Sequence, residues 1–97
     1  MNDAAKLLAE GRSVRVRPTG GSMRGRIESG QRVTLSPIDP AEVAAGDAVL
    51  VAWRGGFLLH LVLEVRDGRA LIGDTLGTVN GWVEASAVAG KVVTVED

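Results

Sequence analysis

The chain predicts a mostly β single domain over residues 1–97 with one short N-terminal helix, on three observations. Apolar residues alternate with polar ones at Val14 and Val16 and again at Val33 and Leu35, the two-residue period of half-buried strands. Turn-forming sets, Arg54-Gly55-Gly56 and Asp67-Gly68, punctuate the β-rich second half at hairpin spacing. Ala4, Ala5, Leu7, Leu8 and Ala9 favour a helix in the first ten positions, before Gly11.

The elements follow in order. Residues 3–10 predict a helix capped by Asn2 or Asp3 and stopped by Gly11, with Leu7 and Leu8 docking on the domain. An isolated helix this short is marginal in water, so docking must hold it. Residues 13–17 predict a strand with Val14 and Val16 inward and Arg15 and Arg17 outward, ended by Pro18. A glycine-serine turn follows, with Met23 and Ile27 facing inward. Residues 32–36 form a second alternating strand. Asp39 and Pro40 predict one helical turn over 41–45, and Gly46-Asp47 another chain reversal. Strands are expected over 48–53, 57–65 and 69–72, a loop over 73–81, extended structure from Trp82, and a closing strand over 90–95. The total is six to eight short strands, with no repeat or low-complexity segment.

Composition narrows the function classes. Eleven basic residues nearly balance twelve acidic ones, which argues against a nucleic-acid or anionic-membrane surface. The uneven placement of Arg12, Arg15, Arg17, Arg24, Arg26 and Arg32 fits a solvated strand face, or else a local basic face. Trp53, Trp82 and Phe57 are too few for a base-stacking platform. Without cysteine, and with one histidine, neither a thiolate nor a multi-histidine metal site is available, so no metal and no cofactor is expected. No run approaches the ~20 apolar residues of a membrane span. The N-terminus lacks the cationic start and apolar core of a signal peptide, and a soluble cytoplasmic protein is the expectation.

Gly20-Gly21-Ser22-Met23 is the stretch with chemistry in it. A glycine turn lifts a serine hydroxyl from a strand end and leaves backbone N–H groups beside it, as a serine nucleophile with an oxyanion site requires. The one histidine, His60, lies in the most apolar run, Phe57 to Val65. Strict alternation puts Leu58, His60, Val62 and Glu64 on one face, where a cleft is expected.

Gly20-x-Ser22-Met23-x-x-x-Ile27-x-x-Gly30-x-x-Val33 resembles the nucleophile box of the signal peptidase I and LexA-type serine peptidases. Further blocks fall in that family's order: Val43-x-x-Gly46-Asp47-x-Val49, His60-Leu61-Val62-Leu63 at the general-base position, Gly73-Asp74, and Gly90-Lys91-Val92. The resemblance covers about three quarters of the chain and implies a small fold of coiled sheets. It implies Ser22 as nucleophile, His60 as general base and Asp74 as the group orienting it. Gly20, Gly21 and Met23 become the substrate-binding stretch, and a polypeptide in extended form the substrate. The chain departs from the pattern at Gly25 (the family has proline), Gln31 (aspartate), Leu61 (arginine) and Asn80 (a second acid). Two functions are therefore expected: a serine endopeptidase that hydrolyses a bond of a partner protein with a Ser22–His60 dyad, or an inactive module of the same fold that binds an extended peptide.

Overall fold

The computed structural model describes residues 2–18 and 23–97. Helix α1 (Asn2–Ala9) leads into β1 (Val14–Val16), β2 (Arg32–Ser36), β3 (Ala48–Trp53), β4 (Gly56–Arg66), β5 (Arg69–Gly73), β6 (Val79–Glu84) and β7 (Val88–Glu96). The strands form one antiparallel sheet in the order β1-β2-β7-β3-β4-β5-β6, where several coiled sheets were expected. β3 to β6 are a meander of hairpins. β7 inserts between β2 and β3, which separates strands adjacent in sequence.

The sheet curls. Three strand spacings on a flat sheet are about 14 Å. Yet the Trp53 ring on β3 lies over Gly81 on β6, with Cη2 3.2 Å from where a Cβ of Gly81 would stand. Curling gives the domain two apolar clusters. The first joins Ala4, Leu8, Met23, Ile27, Val33, Leu35, Ala48, Leu50 and Leu59. The second joins Val43, Val49, Val51, Val62, Ala70, Ile72 and Val88. β3 divides between them, Leu50 to the first and Val49 and Val51 to the second, as the two-residue period requires.

Local chemistry explains each element. Ala4 and Leu8, one helical turn apart, are the buried residues of α1, while Leu7 is only half-buried. Leu8 fits because Gly90 on β7 has no side chain: a Cβ there would stand 2.8 Å from Leu8 Cδ1 and 2.9 Å from the Ser36 carbonyl oxygen. Arg54 (φ 48°) with Gly55 (φ 80°) and Asp67 (φ 52°) with Gly68 (φ 76°) supply the paired positive φ of type I′ hairpins. Asp39 caps a 3-10 turn over Pro40–Glu42 by accepting from the Ala41 N–H at 2.9 Å.

Two expectations are corrected. The loop expected over 73–81 spans only 74–78, since β6 begins at Val79. Glu64 does not share the His60 face. Val62 pairs with Ile72 but Glu64 with Leu71, so a bulge at Leu63 moves Glu64 to the opposite side of β4. There it pairs with Arg66 at 2.7 Å. Among the described residues, no helix is long and apolar enough to cross a membrane.

Candidate functional site

His60 stands near the middle of β4, opposite Val49 of β3, with its half-buried side chain on the face of the second cluster. Its Nδ1 lies 2.8 Å from the amide oxygen of Asn80. Asn80 is delivered by a bulge in β6: Ile72 pairs with Gly81 and Gly73 with Val79, which leaves Asn80 as the extra residue. Next to it, the Trp53 ring lies over Gly81.

Asp74 opens the loop between β5 and β6. Its N–H donates to the Thr78 carbonyl at 3.0 Å, and its Oδ1 accepts from the N–H groups of Leu76 and Thr78, both at 2.9 Å. The Thr78 amide above all, then those of Leu76 and the Thr78 hydroxyl, hold the carboxyl below the ordinary aspartate range. Partial desolvation opposes this, and the charge of a protonated His60 adds to it. Among the described residues the hydrogen bond of His60 goes to Asn80. Asp74 follows Gly73, the partner of Leu61, and its carboxylate is engaged in holding its own loop.

Ser22, Gly20 and Gly21 lie outside the described residues. The chain that follows them is clipped on two sides. Met23 and Ile27 are buried in the first cluster, and Met23 O accepts from the N–H groups of Arg26 (3.0 Å) and Ile27 (2.7 Å). The Met23 side chain is thus an anchor in the core rather than an open substrate contact. The Thr75 hydroxyl donates to the Arg24 carbonyl at 2.7 Å, which ties this turn to the Asp74 loop. Arg26 donates to the Gly46 carbonyl at 3.0 Å. Gly46 in turn donates to Val62 O, and Val62 to Asp47 O, both at 2.8 Å. The turn after Ser22 therefore meets the two segments that border His60.

The departures from the family pattern have their own roles. Gly25 sits at φ 91° and donates its N–H to Glu28 Oε2 at 2.6 Å. Gln31 accepts from the Glu28 N–H at 2.7 Å and donates to Asp97 at 2.8 Å. Leu61 packs against the first cluster. Asp47 is structural: it accepts from the Ala44 N–H and pairs with Lys91 at 3.3 Å. The residue that sequence reasoning passed over as a partner is Asn80, visible only as the amide where the family has its second acid. Among the described residues, no group of three or more His, Asp or Glu side chains is placed to hold a metal ion.

No protein-family model matches the chain. No curated protein matches it either.

Proposed function

We propose that the chain is a serine endopeptidase of the signal peptidase and LexA type, with Ser22 as nucleophile and His60 as general base. The observation that carries this reading is the Thr75–Arg24 bond. It holds the chain two residues beyond Ser22 against the loop that Asp74 opens, one residue past the Gly73–Leu61 pair that adjoins His60. The segment after Ser22 and the loop after Gly73, 51 residues apart at this bond, are thereby joined. In the reaction, Ser22 Oγ adds to the scissile carbonyl carbon and its proton passes to His60. The imidazolium returns that proton to the leaving amine, and water then hydrolyses the acyl-enzyme with His60 again accepting a proton. Backbone N–H groups of the glycine turn stabilise the oxyanion. Asp74 adds a negative charge that favours the imidazolium.

The test is cleavage of a proteome-derived peptide library, read by mass spectrometry. Wild-type protein is expected to generate new termini at a common sequence, and Ser22→Ala and His60→Ala to generate none. Equal cleavage by the Ser22→Ala variant rules the mechanism out.

One observation favours the non-catalytic reading. Proline is held near φ −65° and lacks an N–H, so the Gly25 conformation and its bond to Glu28 are closed to the family's proline. The turn after the serine is therefore built differently here. A peptide-binding module retains library peptides uncut, and does so equally after Ser22→Ala.

A further inference from the structure

We infer that Asn80 is a positioning residue that fixes the tautomer of His60, drawing Nδ1–H into its amide oxygen and leaving Nε2 as the basic nitrogen. The inference rests on the reading of His60 as a general base and adds the group that prepares it. An amide oxygen only accepts hydrogen bonds, so the 2.8 Å contact to Nδ1 requires the proton on that nitrogen. A neutral imidazole carries one N–H, and Nε2 is then the unprotonated nitrogen that takes the serine proton.

The surroundings make Asn80 more than a chance neighbour. It is the unpaired residue of a bulge, a device that re-aims one side chain across a regular ladder. β5 lies between β4 and β6, so without the bulge the regular ladder would pair residue 80 with a β5 neighbour. Gly81 beside it lies under the Trp53 ring, where an added Cβ would stand 3.2 Å from Cη2. Among the described residues, charged groups around this face include Asp74, one residue past the Gly73–Leu61 pair, the Lys91–Asp47 pair beyond Val49, and Arg26 at the Gly46 carbonyl. Asp74 has one carboxylate oxygen committed to two loop amides, so orientation falls to the amide and charge to the acid. A residue that is neutral at every pH holds the ring without adding a second negative charge next to Asp74.

The test uses the untagged full chain, whose single histidine makes the imidazole signals unambiguous. In two-bond proton–nitrogen correlation spectra of the neutral ring, Nδ1 is expected at a pyrrole-like shift and Nε2 at a pyridine-like one. The reverse assignment, or averaged shifts, overturns the inference without any variant. Asn80→Leu is expected to average the two nitrogen shifts and to cut library cleavage at least tenfold, with the thermal midpoint checked in parallel. Asn80→Asp is expected to keep the tautomer and retain cleavage. A purely structural Asn80 would leave the nitrogen shifts of Asn80→Leu where they are. Ser22→Ala is expected to keep the tautomer. Loss of the peptidase reading therefore shows as absent cleavage with the tautomer intact, and loss of the positioning role as cleavage with the wrong tautomer.

Discussion

Thr75 and Arg24, 51 residues apart, are joined by a 2.7 Å hydrogen bond from the threonine hydroxyl to the arginine carbonyl. Thr75→Val keeps the shape and removes the donor. The bond is exposed, so the global cost is small, about 0.5–1 kcal/mol. The local effect is larger: the amides of Arg26 and Ile27, which close the turn on Met23 O, should exchange with solvent faster than in wild type. Exchange measured by NMR checks this, and unchanged rates would show that the turn is held by Met23 and Ile27 alone.

Asp74 links the loop to pH. Its carboxyl is held below the ordinary range by the Thr78 amide first. A group with a lowered folded pKa adds stability above its unfolded value, about 3.9, and that stability is lost as pH falls through the folded one. Asp74→Asn should therefore lower the urea midpoint by a constant amount between pH 5 and 7. The gap between wild type and variant should narrow below about pH 3.9. A gap independent of pH would mean that the charge of Asp74 does not contribute.

Gly25→Pro inserts the residue typical of the resembled family and should harm the protein. The position needs φ 91° and an N–H that reaches Glu28, and proline supplies neither. The expected loss is about 1–3 kcal/mol in urea unfolding. A variant as stable as wild type would show that the turn readily takes a second conformation.

Leu8 and Gly90 form a matched pair. Gly90→Ala drives a methyl against Leu8 and the Ser36 carbonyl and should cost about 1–3 kcal/mol. Leu8→Ala empties the same space and should cost about 2–5 kcal/mol. Because part of the clash disappears with Leu8, the double variant should lose less than the sum of the two. Strict additivity in a double-mutant cycle would place the clash on Ser36 alone.

Much of the architecture is legible in the residues. Val33 and Leu35, Met23 and Ile27, and the Asp67-Gly68 turn each declare their place through local period or turn chemistry. β6 does not, because its start is embedded in Thr-Leu-Gly-Thr-Val-Asn-Gly, a run whose residues favour turns. Pairing with β5 overrides that preference. The side of Glu64 is hidden for another reason: one bulged residue reverses every later side chain, and alternation carries no mark of it. His60 is legible as the single imidazole of the chain. Its contact with Asn80 is not, since it depends on the second bulge, across an intervening strand.

The place of β7 between β2 and β3 has a consequence for how the molecule is made. β3 to β6 can zip as successive hairpins while synthesis proceeds, each closing a short loop. β1 and β2 can join that meander only after β7, which follows both in the chain, has left the ribosome. Until then the nascent chain carries two unjoined pieces, with the apolar sides of Val33, Leu35 and Leu50 open to solvent or chaperones.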